Sequence, residues 1–164
     1  MTTIVITDAN VVINLIHVSQ LDICEKLTGY EFVVPDHVHA EISAPGQLAA
    51  FNDAVTRGIF RIIPIIKIET ITIFSELTTY LGRGESACLA MAIETGWSVA
   101  SDEKRRFQRE TEKRIGKDRL LGTADLFVLA IRAGVLTVEE ADEAKSLLEK
   151  RRFKMPFGSF RDLI

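Results

Sequence analysis

Cysteine is scarce in this chain. Cys24 and Cys88 stand far apart in apolar surroundings and form no Cys-x-x-Cys pair. That excludes a disulfide framework and implies reduced core thiols in a cytosolic protein. Histidine is nearly as sparse. His17, His37 and His39 make no zinc set, because a spacing of two turns His37 and His39 to different helix faces. No apolar run reaches the ~18 residues of a membrane span; Asp8, Asn10 and Asn14 interrupt the first candidate. The opening Met1-Thr2-Thr3 lacks the basic start of a signal peptide, so a cytoplasmic location with no membrane attachment is expected. Excess positive charge is missing too. A net charge of −3 argues against nonspecific coating of nucleic acid. It leaves room for a nucleic-acid enzyme, whose acidic cluster bound metal would neutralise. No Ser-His-Asp order, phosphate-binding glycine loop or Rossmann fingerprint is present. Nor are there internal repeats, low-complexity stretches or a dividing linker.

What is present is apolar material in short, punctuated runs. With 47% hydrophobic residues among 164, the chain suits one domain over residues 1–164, with a core over about 4–152 and a tail over 153–164. At this length roughly two-thirds of the unfolded surface can be buried without disulfides or structural zinc. Ile4 to Thr7 reads as a buried strand, Val11 to Ile16 and Leu21 to Leu27 as helices with Ser19 as a cap, and Glu31 to Val34 as a strand stopped by Pro35. Asp36 opens a helix carrying Val38, Glu41 and Ile42. Pro45-Gly46 reads as a turn, Gln47 to Thr56 as a helix, and Ile59 to Ile63 as a strand that Pro64 confines to an edge or an end. Ile65 to Ile73 fits a strand by alternation and a helix from Glu69 equally well. Arg83 opens an apolar helix to about Thr95, ended by Gly96. Trp97 to Ala100 is a strand, and Asp102 starts a charged helix to about Arg114. Arg119 to Leu121 is a short strand, Thr123 caps a helix to Ala133, and Thr137-x-x-Glu140 boxes the start of another to about Arg151. Strands alternating with helices imply an α/β/α sandwich around a mainly parallel sheet.

The acids take their meaning from that layout. Asp8 ends the first strand, Asp102 follows the strand closed by Ala100, and Glu85 and Asp125 fall in the first turns of helices. In an open parallel sheet, ligands bind beyond the carboxyl ends of the strands, so four scattered acids are expected along one edge. Unit charges ~4 Å apart repel by about 4 kcal/mol at an effective dielectric near 20. Either some carboxyls stay protonated or a divalent cation sits among them. Oxygen-only donors suit Mg²⁺ or Mn²⁺, and one or two such ions are the usual machinery of phosphodiester hydrolysis. Each acid also has a purely structural reading. Asp8 and Asp102 would cap helices, Glu85 and Asp125 would favour helix dipoles, and Glu41 would be a solvated helical acid.

Five segments extend the argument by resemblance. Ile6-Thr7-Asp8-Ala9-Asn10, with Asn14 on the helix that follows, Val34-Pro35-Asp36 through Glu41-Ile42, Leu81-Gly82-Arg83-Gly84-Glu85, Ala100-Ser101-Asp102-Glu103-Lys104 and Gly122-Thr123-Ala124-Asp125 together resemble the ordered motifs of a PIN domain. Within that superfamily they are similar to VapC-type toxins of toxin–antitoxin systems. The resemblance spans roughly Ile4 to Arg152. It implies Mg²⁺- or Mn²⁺-dependent endonucleolytic cleavage of RNA, a cognate antitoxin protein and frequent homodimerisation. It also implies Asp8, Glu85 and Asp102 as the principal catalytic, metal-holding acids, with Asp125 as the fourth. Thr123 would orient a carboxylate or water through its hydroxyl, and Glu41 and Asn14 would act at the periphery.

Beside Asp102 lies a basic segment. Lys104, Arg105, Arg106 and Arg109 read as an RNA-binding, phosphate-contacting flank or as one solvated face of a helix. Lys150 to Lys154 precede a tail with Phe157 and Phe160, whose rings would pack on the domain, form an RNA platform or receive a partner helix. Two other functions compete with the nuclease. A phosphotransfer protein would use Asp8, but the haloacid-dehalogenase pattern wants a second aspartate where Asn10 stands. A non-catalytic scaffold binding RNA or protein would leave the acids without a purpose, since buried carboxylates are costly.

Overall fold

The computed structural model describes residues 1–164. In chain order the elements are β1 (Thr3–Thr7), α1 (Ala9–His17), α2 (Ile23–Lys26), β2 (Tyr30–Pro35), α3 (Asp36–His39), α4 (Pro45–Thr56) and β3 (Phe60–Ile63). They continue with α5 (Ile68–Leu77), α6 (Arg83–Thr95), β4 (Ser98–Ala100), α7 (Arg106–Ile115), β5 (Leu120–Leu121), α8 (Thr123–Arg132) and α9 (Val138–Lys150). The five strands form one sheet in the order β3-β2-β1-β4-β5, and every neighbouring pair is parallel. Helices lie on both faces. α6 packs on β1, β2 and β4 beside α5 and α7, and α1 lies with α4, α8 and α9. The fold is therefore an α/β/α sandwich. No helix is long and apolar enough to cross a membrane.

Burial on both faces explains why the strands read as continuous apolar runs. Val5, Ile6, Val33, Val34 and Val99 are fully inaccessible to solvent. On one side Phe51 of α4 meets Phe60 of β3 at 5.5 Å between ring centres. Gly96 ends α6 in the left-handed region at φ +80, where a side chain would strain the backbone. Thr137 caps α9 through the reciprocal bonds with Glu140. The tail packs on the domain. Phe160 is buried against Phe127 at 5.6 Å, and Asp142 accepts bonds from the Ser159 hydroxyl and the Phe160 N–H. Both cysteines are free and buried.

Several local expectations are corrected. Ser19 caps nothing; it sits at φ +55 in the turn before α2, which is only four residues long. Pro45 opens α4 at its first position, where a missing N–H costs nothing, so Pro45-Gly46 is no separate turn. α3 ends at His39, leaving Glu41 in the turn beyond it. α7 begins at Arg106, so residues 101–105 are irregular and Asp102 lies outside any helix. The ambiguous segment resolves as helix from Ile68.

Candidate functional site

The sheet reverses its direction of growth at β1. The chain lays down β2 and then β3 on one side of β1, and places β4 and β5 on the other. That switch point leaves a crevice beyond the strand ends, and Asp8 and Ser101 face each other across it. Asp8 leaves β1 as the cap of α1, its Oδ1 accepting from the Ala9 N–H at 2.8 Å. Its other oxygen accepts from the Ser101 hydroxyl at 3.0 Å.

A pocket of about 300 Å³ opens here, and Asp8, Glu41, Glu85 and Glu103 all line it. Glu85 enters from the first turn of α6, where its Oε1 accepts from the Gly82 N–H at 3.3 Å. Glu41 reaches in from the turn after α3 and accepts from the Gly84 N–H at 2.9 Å. A Cβ on Gly84 would stand 2.5 Å from the Glu41 carboxylate, so only glycine lets this carboxylate lie against the backbone of α6. That close approach gives the Gly84-Glu85 pair its physical meaning. The glycine admits one acid and the next residue supplies another.

Asp102 and Asp125 are placed differently. Asp102 Oδ1 accepts from the Thr123 N–H at 2.8 Å, and Oδ2 accepts from the Thr123 hydroxyl at 2.5 Å and from Asn14 Nδ2 at 2.9 Å. Asp102 thus supports the start of α8, twenty-one residues away in sequence, rather than a helix of its own. Asp125 folds back on the Gly122 N–H at 2.6 Å. The two carboxylates flank Gly122, within 3.0 and 3.6 Å of where a Cβ would stand. Asn10 connects the two groups of acids. Its side-chain oxygen accepts from the Asp102 N–H, and its amide donates to Glu103.

Of the expected residues, then, the pocket gathers Asp8, Glu85 and Glu41. Thr123 and Asn14 lie against Asp102 to one side, with Asp125 beyond. No three histidine, cysteine or acidic side chains are arranged as a ready set of metal ligands. Glu103, Ser101 and Asn10 join the site without having been singled out by the sequence. Their signal lies inside the first and fourth motifs, but a helix starting at Asp102 would turn Glu103 outward. The irregular segment brings it over Asn10 instead.

The electrostatics are one-sided. None of these six acids has a basic partner within 4.0 Å; the ion pairs of the molecule lie elsewhere. Burial pushes the Asp8 carboxyl up to about 7. The bonds from Ala9 and Ser101 offset part of that rise, while Glu41 and Glu103 add to it. Glu85 is raised as well, by burial first and by Glu103 and Glu41 after it, against the pull of its Gly82 bond. Hard oxygen donors, close negative charge and no compensating side chain fit a divalent cation in kind.

A second cavity, of about 340 Å³, adjoins the first and shares Gly82 and Glu85 with it; its other walls include Lys104, Arg105, Arg106 and Arg109. The expected basic flank therefore opens beside the acid pocket. A family model described as a PIN domain matches residues 4–157 of the chain. No curated protein matches it.

Proposed function

The chain belongs to the PIN-domain family, and from that premise we propose that it is a Mg²⁺- or Mn²⁺-dependent endoribonuclease. We place it as the toxin of a toxin–antitoxin pair, acting in the cytoplasm on RNA and held by a cognate antitoxin protein. The family supports a nuclease fold. The observation that carries the finer reading is the pocket where Asp8, Glu41, Glu85 and Glu103 meet without a single basic partner.

Asp8, Glu85 and Asp102 are the residues proposed to hold the metal, with Asp125 as the fourth acid and Glu103 as an addition from the pocket. A bound divalent ion would supply charge neutralisation at a phosphate oxygen and lower the pKa of a water. The chain's own part is positioning. Ser101 and the Ala9 N–H fix the Asp8 carboxyl, Thr123 and Asn14 fix Asp102, and the Gly84 N–H fixes Glu41. The three bonds that Asp102 accepts from Thr123 and Asn14 favour a second reading, a non-catalytic scaffold in which that aspartate only supports α8.

Cleavage of a labelled RNA by the purified protein separates the two. The nuclease cuts with Mn²⁺, stops with EDTA, and loses activity in Asp8→Asn and Asp102→Asn while both variants stay folded. Equal inactivity of wild type and variants across many RNAs favours the scaffold. Equal cutting by all three reveals a contaminating enzyme.

A further inference from the structure

We propose that the cavity lined by Lys104, Arg105, Arg106 and Arg109 is a discrete phosphate subsite. It would hold a backbone phosphate of single-stranded RNA next to the one presented to the acid pocket. The inference rests on the nuclease reading above and adds a requirement to it, that the substrate carry a second phosphate flanking the bond that is cut.

The four cations are unpaired with any carboxylate, in a chain whose net charge is −3. Acidic residues outnumber Lys and Arg, 23 to 20. Farther along the same basic run the two arginines are already used. Arg114 bridges Glu76 and Glu110 at 2.9 and 3.1 Å, and Arg119 donates to the carbonyls of Ala92 and Trp97 at the end of α6. Lys104, Arg105, Arg106 and Arg109 have no carboxylate within 4.0 Å, although Glu85 shares their cavity. Their positions are also organised. Arg106 Nη1 donates to the Tyr80 carbonyl at 3.0 Å, which fixes that guanidinium against the cavity wall. The first turn of α7 contains no acid and no side-chain cap, so its free N–H groups add to the same positive field.

The size and the neighbour decide the ligand. About 340 Å³ is room for one nucleotide-sized group. A polyanion approaching the acid pocket alone would be repelled by four carboxylates. A phosphate in the adjoining basic cavity offsets that repulsion and seats the next phosphate over the acids. A dinucleotide with a single phosphodiester cannot fill both places.

The test is anisotropy of a short labelled single-stranded RNA in EDTA, so that binding is read without cleavage. Arg105→Gly/Arg109→Ala removes two of the four cations lining the cavity. Glycine suits position 105, where φ is +58, so the fold is retained, and a thermal melt confirms this. Lys113→Ala/Lys117→Ala removes the same charge from the same segment outside the cavity. The cavity variant is expected to bind at least about tenfold more weakly, and its salt slope to flatten by about 0.7 for each phosphate that the variant no longer neutralises. The control is expected to stay within about threefold. Equal weakening of both doubles, or unchanged binding by a folded cavity variant, overturns the subsite. Inorganic phosphate binding as tightly as the RNA overturns the backbone assignment in favour of a small-anion site. Cleavage by the wild type together with unchanged binding in the cavity variant removes the subsite and leaves the nuclease. Weakened binding in the cavity variant of a protein that never cleaves removes the nuclease and leaves the subsite.

Discussion

Neutralising Asp8 should make the protein more stable, and by an amount that depends on pH. Asp8 is 3% exposed, and its carboxyl protonates at about 7 in the folded chain against 3.8 for an unperturbed aspartate. A folded pKa raised above the unfolded value means that the native state holds a proton the unfolded chain has released. Stability is then undiminished below the unfolded pKa and falls as pH rises toward the folded one. Each pKa unit is worth about 1.4 kcal/mol, so the full rise corresponds to about 4 kcal/mol above pH 7, of which about 3 kcal/mol develops between pH 5 and pH 8. Asp8→Asn removes this penalty with little change of shape. The amide oxygen can accept from Ala9, and the Ser101 hydroxyl can turn to accept from the amide. Urea titrations of wild type and variant in EDTA at both pH values measure it. The variant should gain about 3 kcal/mol on wild type at pH 8 relative to pH 5. Subtracting the difference at pH 5 from the difference at pH 8 cancels packing effects that do not titrate. The same difference at both pH values would refute the claim that burial and neighbouring carboxylates keep Asp8 protonated.

Two further perturbations test the supports of the site. Thr123→Val keeps the shape of a buried residue but removes the hydroxyl that donates to Asp102; chemical denaturation should show a loss of about 1.5–3 kcal/mol, as for a hydrogen bond to a charged group, and Thr123→Ser should recover most of it. Gly84→Ala forces a methyl to within 2.5 Å of the Glu41 carboxylate. Because that carboxylate is the movable end of an exposed side chain, it should swing off the Gly84 N–H at little cost; chemical denaturation should show a change within about 1 kcal/mol, and a double-mutant cycle with Glu41→Ala would read the part that belongs to the lost bond.

The legible parts of the fold are those whose signals are local. β1, β2 and α6 are marked by apolar runs, and β2 and α6 also by the proline or glycine that stops them. The placement of Asp8 at the end of β1 follows from the same runs. Asp102 shows where local signals stop. An aspartate after a strand and before a charged segment resembles the cap of the next helix, yet its carboxylate serves α8 through Thr123. Only the β4–β5 pairing brings those two segments together, and no neighbouring residue announces it. Glu41 reads as helical because Val38 and Ile42 have helical spacing; α3 ends first, and the shorter helix is what lets Glu41 turn toward Gly84. Within α5 the usual pattern is inverted, with Thr70 buried while Ile68 and Ile71 are exposed, so periodicity alone could not separate strand from helix there.

The parallel pairing of β1 with β4 joins Val5 to Ser98, a loop of roughly 90 residues whose closure must precede any assembly of the acid pocket. Asp8 and Glu41 leave the ribosome early, with β2 as the only partner β1 can yet have. At synthesis rates of ~5–20 residues per second, several seconds pass before Ser101 and Glu103 exist to complete the arrangement. A nascent chain is therefore without its pocket however well its first half folds, and the four acids come together only after translation has passed β4.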